Sequence, residues 1–372
     1  TGGASEGMFN FPQGALQRPH FASEEQWSLL ANKDAQVDES AAAVSAIVEA
    51  CPATKEHPRP PRMAMPAEVT DTMRKRQRQK PEMWSMTMQD FVDVVRFCMS
   101  TDFYRELKES RGLVTTRDIL ANFVKPWTKG TGCGVAVLMS KDDQDPTKLE
   151  AELLFCHAPD GIVEETLQVF QDYIDRDGIP PSARIWFDPF AFYQPEDLCG
   201  PSIAEQLKME PFKRVIECAG IRRGYGMAVV HTTQGDVCTR LWCIHEMFTA
   251  IRQEVRIHAL MSKEYTHLLT SRTERFLDEG HPVDESLTRA GVLVYTAGTL
   301  DWHPADEHKL PNTIMADSDF ERIDETMNTF REKALPEYLR QRLDEEEEEE
   351  RRRAAGAEEH DSQEDSDWSE TF

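Results

Sequence analysis

An α/β fold, built on a parallel sheet with helices on both faces, is predicted by three observations. Short apolar runs recur along the chain at 152–157, 183–188, 226–232, 255–260 and 291–295. Stretches with helical periodicity alternate with them, as in Val163, Leu167, Phe170 and Ile174. Glycine and proline mark the junctions, as at Gly178, Pro180 and Pro181 before the second run and Gly235 after the third. Strands alternating with helices imply parallel pairing through right-handed crossovers, a flavodoxin-like arrangement.

The elements follow in order. The first run, Glu152 to His157, reads as a strand and leads through Ala158-Pro159-Asp160-Gly161 into an amphipathic helix. The second, Ala183 to Asp188, is a strand followed by a long loop from Pro189 to Gly200. Ser202-Ile203-Ala204-Glu205 then has the Ser-x-x-Glu pattern of a capping box, opening a helix that carries Leu207, Phe212, Val215 and Ile216. The third run, Gly226 to Thr232, reads as a buried strand, and its loop Thr233-Gln234-Gly235-Asp236 leads to a helix from about Leu241. Fourth and fifth strands are expected at 255–260 and 291–295.

The helix after the third strand has an unusual polar pattern. At 100° per residue, Leu241, Ile244, Met247, Phe248 and Ile251 form a core stripe. Trp242, His245, Glu246, Thr249 and Gln253 fall on the other side, and Trp242 and Glu246 form an i, i+4 pair. A carboxylate and an indole paired away from the core predict a pocket wall. The helix starts just past a strand's carboxyl end, where open α/β sheets place their ligands.

The stretch from Met227 to Ile251, a strand, a Thr/Gly loop and then Thr239-Arg240-Leu241-Trp242-Cys243-Ile244-His245-Glu246, resembles the third strand and following helix of Toll/interleukin-1 receptor (TIR) domains. It is most similar to the plant-type Trp-Cys-x-x-Glu version. The resemblance implies that Glu246 is the residue required for NAD cleavage, with NAD as substrate and no separate cofactor. It further implies substrate-lining positions at Trp242, His157, Phe190 and His245, and an assembly loop with Phe192 and Tyr193 through which the domain self-associates. The first strand departs from the family pattern, because Cys156 and His157 stand where many members have Ser and an aromatic residue or Arg.

Five regions are expected: a mostly disordered linker over 1–80 with one short helix at 39–50, a helical extension packing on the core over 81–149, the TIR-like domain over 150–300, a C-terminal helical extension over 301–343, and a disordered acidic tail over 344–372. In the helical extension, Thr87-Met88-Gln89-Asp90 caps a helix through Phe91, Val94, Val95, Phe97 and Cys98, and a second helix begins near Thr115. The basic run Arg74-Lys75-Arg76-Gln77-Arg78-Gln79-Lys80 reads as a solvated helix face.

Composition narrows the classes of function. A formal charge of −25 opposes a nucleic-acid partner, although 14 acidic side chains against three arginines lie in 344–372 alone. Eight cysteines without a CxxC pair fit reduced thiols in a cytoplasmic protein, and no apolar run is long enough to span a membrane. A metal site drawn from Cys156, His157, His231, Cys238, Cys243 and His245 has no matching ligand spacing, so no metal is assigned. Gly130-Thr131-Gly132-Cys133-Gly134 lacks the strand that precedes a dinucleotide fingerprint. Three classes remain: a TIR-like signalling protein acting as an NAD glycohydrolase through Glu246, a non-catalytic self-association scaffold, and a flavodoxin-like binding domain for another ligand.

Overall fold

In the computed structural model, residues 58–143, 145, 148–294 and 317–367 are described. They belong to one unit beginning at His57. The helix expected at 39–50 lies outside the described residues.

The chain runs through α1 (Asp71–Gln79), β1 (Met86–Thr87), α2 (Met88–Ser100), α3 (Asp102–Arg111), α4 (Thr116–Ile119), a π-helical turn (Leu120–Val124), α5 (Lys125–Thr128) and α6 (Val135–Met139). It continues with β2 (Leu153–Cys156), α7 (Val163–Asp177), β3 (Arg184–Phe187), α8 (Asp188–Ala191), α9 (Ile203–Leu207), α10 (Pro211–Glu217) and α11 (Ala219–Arg223). Then come β4 (Gly226–His231), α12 (Leu241–Arg252), β5 (Ile257–Met261), α13 (Lys263–Asp278), α14 (Val283–Ala290), α15 (Asp317–Ala334) and α16 (Glu337–Asp367).

The sheet order is β1-β3-β2-β4-β5. Four strands are parallel, in register at Leu153 with Ile185, Leu153 with Gly226, and Met227 with Ile257. Their sequence order, second-first-third-fourth, is that of a flavodoxin-like sheet. Every residue of β2, β3 and β4 is buried, as expected for strands covered on both faces. Alternation along β3 shows the two layers: Phe187 packs against Phe91 of α2, whereas its neighbour Trp186 packs against Phe212 of α10.

Residues 81–149 are part of this core. Thr87 caps α2, its Oγ1 accepting from the Asp90 amide at 3.0 Å, and this orients Phe91 over the sheet. There Phe91 meets Phe155, Phe170, Phe187 and Phe190, with ring centroids 4.7 to 5.8 Å apart. Truncating such a ring costs about 3–5 kcal/mol. The two-residue β1, antiparallel to β3, was not foreseen.

Four expectations need correction. The linker stops short of residue 80, because α1 folds and Met63, Ala64 and Met73 enter the core. The basic run is only partly solvated: Arg76 is buried and donates through Nη2 to the Val137 carbonyl (3.0 Å) and Ser140 Oγ (2.9 Å). The fifth strand does not form over 291–294, and Tyr295 lies outside the described residues. Gly291, in the left-handed region at φ 84°, ends α14, while the Val292 amide bonds back to Leu287 and the Val294 amide to Asn328 Oδ1. Those amides are therefore spent on a helix cap and on α15, not on β5. Finally, the acidic tail is helical to Asp367, with Glu347–Arg351, Glu348–Arg352 and Glu349–Arg353 paired at i, i+4 in the favourable Glu-first orientation.

The glycine-rich segment before α6 serves packing. A Cβ on Gly134 would lie 2.4 Å from the Ala191 carbonyl oxygen, so only glycine permits this approach of two backbones. The segment follows the helix α5 and opens the helix α6.

Candidate active site at the carboxyl end of the sheet

β2 ends in Cys156 and leads to His157, and β3 is followed at once by Asp188. β4 ends in His231 and runs through residues 232–236 and the 3-10 turn Val237–Thr239 into α12. Cys243 and Glu246, one turn apart on α12, face the ends of β2 and β3. The Cys243 thiol donates to the His157 carbonyl at 3.2 Å. Cys156 lies near enough to Cys243 and to Glu246 for each to act on its ionisation.

Glu246 is 6% exposed. Burial pushes its carboxyl well above the usual carboxylate range, and the charge of Asp188 adds to the rise. The Cys156 contact acts in the opposite direction. Contact with Cys243 and burial likewise hold the Cys156 thiol well above its usual range. Asp188 is the open member of the group, with 36% of its side chain exposed, and its Oδ1 lies 3.2 Å from His157 Nδ1. That contact lacks hydrogen-bond alignment, so it is an ion pair only when the imidazole is protonated. The site thus holds a buried carboxyl biased toward its protonated form beside a second, more exposed carboxyl at the strand ends, an arrangement suited to answering a positively charged ligand.

Three groups of expected site residues are redistributed. Trp242 and His245 do not join Glu246. They line a groove of about 400 Å3 between α10 and α12, and Glu246 is absent from its walls. The expected wheel missed the small buried residues Cys243 and Ala250, which widen the covered arc of α12 until it takes in Glu246. Phe190 is not a pocket wall but core, packed on Phe187 at 5.1 Å. Phe192 and Tyr193 are also buried, which removes their side chains from any assembly surface. Phe192 packs against Trp84, Trp186 and Phe212. The loop is held by two buried glutamines: Gln206 Oε1 accepts from the Tyr193 amide (2.9 Å), and Gln77 Nε2 donates to the Ala191 carbonyl (3.1 Å) and to Gln206 Oε1 (3.0 Å).

The six residues considered for a metal are also separated. Cys156, His157 and Cys243 lie at the Glu246 cluster, His245 faces the groove, and His231 and Cys238 belong to another buried cluster. Among the described residues no three His, Cys, Asp or Glu side chains form a metal-binding group.

That other cluster was not anticipated. Arg331 of α15, 0% exposed, reaches Asp236 Oδ1 at 2.7 Å and the Gly291 carbonyl at 2.7 Å, and also contacts Cys238 Sγ at 3.3 Å. Its guanidinium lies over Tyr265, on which His231 stacks. Burial and the Arg331 charge bring His231 down to about 3. Burial alone would raise Asp236, but Arg331 outweighs it and holds the carboxyl below its usual value. Glu165 of α7 completes the support, accepting from the Thr233 amide (2.8 Å), the Thr233 hydroxyl and Ser262 Oγ (2.6 Å). Asp188 was readable as the residue ending a strand at the sheet's carboxyl edge. Arg331 had no local signal, since its partner is 95 residues away.

No protein-family model, curated protein or solved structure matches this chain. No helix among the described residues is long and apolar enough to cross a membrane.

Proposed function

We propose that the chain is a TIR-like NAD glycohydrolase and that Glu246 faces the ribose whose bond to nicotinamide is cleaved. The observation that carries this reading is the Glu246 carboxyl, buried at the carboxyl edge of the parallel sheet beside Asp188, with no ion pair to a cation among the described residues. The nicotinamide ring of NAD is positively charged, and its departure as a neutral base leaves an oxocarbenium-like ribose. A cation entering beside Glu246 and Asp188 reverses the penalty that keeps Glu246 protonated, so its proton leaves and the carboxylate meets the developing charge. Water then supplies the hydroxyl that replaces nicotinamide and loses a proton to solvent. Ligand enters past Asp188, the most exposed group of the cluster.

The test is chromatographic detection of nicotinamide released from NAD by the full chain, at high protein concentration because the resemblance also implies self-association. Release is expected, with a loss of at least about 100-fold in Glu246→Gln at unchanged fold. A folded wild-type chain that releases nothing, or an equally active Glu246→Gln, overturns the reading.

A further inference from the structure

We propose that the groove between α10 and α12 is a ligand site separate from the Glu246 cluster, and that it takes a flat aromatic anion of about mononucleotide size. Its volume of about 400 Å3 falls within the range of small-molecule sites. At one end Trp242 and Phe212, with centroids 5.5 Å apart and planes at 37°, make a broad aromatic wall suited to an aromatic ring.

Polar groups beside the wall are arranged for a hydrogen-bonding edge. His245 lines the groove, while its Nδ1 is closed off from solvent and has no hydrogen-bond partner among the described residues. Burial lowers the His245 pKa, which favours the neutral ring. Glu210, whose charge acts on His245, sits on the rim at φ 49°, a left-handed conformation that non-glycine residues rarely adopt. Strain of this kind collects at ligand clamps.

The other end of the groove carries Arg252 on α12 and Glu217 on α10. Arg252 is exposed, lies two turns beyond His245 on the same face of α12 and rests on the Phe248 ring at 5.4 Å. Lys213 and Glu217 are already engaged, with Glu210 and Gln253 respectively. Two helical turns are about 10 Å, a span that a nucleotide and the arginine side chain cover together. An aromatic ring on Trp242 and Phe212, its polar edge at His245 and Glu210, therefore directs an anionic group to Arg252.

Titration calorimetry on the full chain tests this with AMP, adenosine and inorganic phosphate as probes. AMP is expected to bind with a Kd below about 1 mM. Arg252→Glu should weaken AMP by about tenfold or more while leaving adenosine within about twofold. Thr249→Trp, which fills the groove, should abolish both. Arg252 is exposed, so its variant reports on binding even if Thr249→Trp fails to fold. Glu246→Gln should leave AMP affinity unchanged, which separates this site from the proposed catalytic one. No binding by AMP, an affinity indifferent to Arg252→Glu, or binding lost in Glu246→Gln overturns the proposal.

Discussion

Two acidic residues, Glu246 buried and Asp236 half-buried, lie near the carboxyl edge of the same sheet, and their surroundings push them in opposite directions. Asp236 has Arg331 at 2.7 Å, and its carboxyl is held down as an ion. Glu246 has two thiols and the negative Asp188 for neighbours, and its carboxyl is pushed up toward the neutral form. The first arrangement holds α15 onto the loop that leads into α12. The second costs stability at neutral pH without tying anything together. The proposed function rests on the buried acid left uncompensated beside a better-solvated one, whereas the Arg331–Asp236 pair ties two segments together.

The contrast can be broken most forcefully at Arg331. Arg331→Met keeps most of the volume but strands Asp236, and is expected to cost about 3 kcal/mol. That is the low end for a broken buried pair, because 34% of the Asp236 side chain reaches solvent. Urea unfolding measures it, and a loss below about 1 kcal/mol would reduce the cluster to ordinary packing.

Opposite pH dependences sharpen the comparison. Glu246 has a raised folded pKa, so its stabilising contribution is full below its unfolded value near 4.3 and is lost as pH rises toward the folded value. Glu246→Gln should match wild type near pH 4 and then gain on it by about 1.4 kcal/mol per pH unit until the folded pKa is passed. His231 has a depressed pKa, so its contribution is full above its unfolded value near 6.5 and is lost as pH falls toward about 3. His231→Phe should therefore lessen the acid-side loss that wild type shows between those values. Thermal melts across pH 3 to 8 read both variants. A Glu246→Gln profile parallel to wild type would mean that Glu246 is ionised in the folded chain, and the contrast would fail.

The smallest effect belongs to neither acid. Thr87→Ala removes the cap of α2, which lies far from both clusters in function but presents Phe91 to the sheet. It should cost about 1 kcal/mol in urea unfolding with no change in the pH profile. A changed profile would show that the titrating groups respond to global loosening and not to their own neighbours.

The first four strands were legible because a parallel strand buried on both faces writes itself as a short apolar run. Caps at Thr87 and Ser202 were legible for a similar reason, since the donor and acceptor lie three residues apart. The failures have one form. Val292 to Val294 reads as a strand, but its amides found a helix cap and Asn328. Phe192 and Tyr193 read as exposed loop aromatics, but Gln77 and Gln206 draw the loop inward. The tail reads as coil, yet its glutamates precede arginines by four residues and carry a helix.

By itself the sequence determined the α/β alternation, the parallel strands, the main helix caps and the position of Glu246 just past a strand's carboxyl end. Each depends on spacings of two, three or four residues that one stretch of chain contains. Only the tertiary structure decided that Glu246 turns inward while Trp242 and His245 face a separate groove, and that Arg331 matches Asp236. The physical reason is that burial depends on what covers a side chain. For these residues the cover comes from segments tens of residues away, which no local period records.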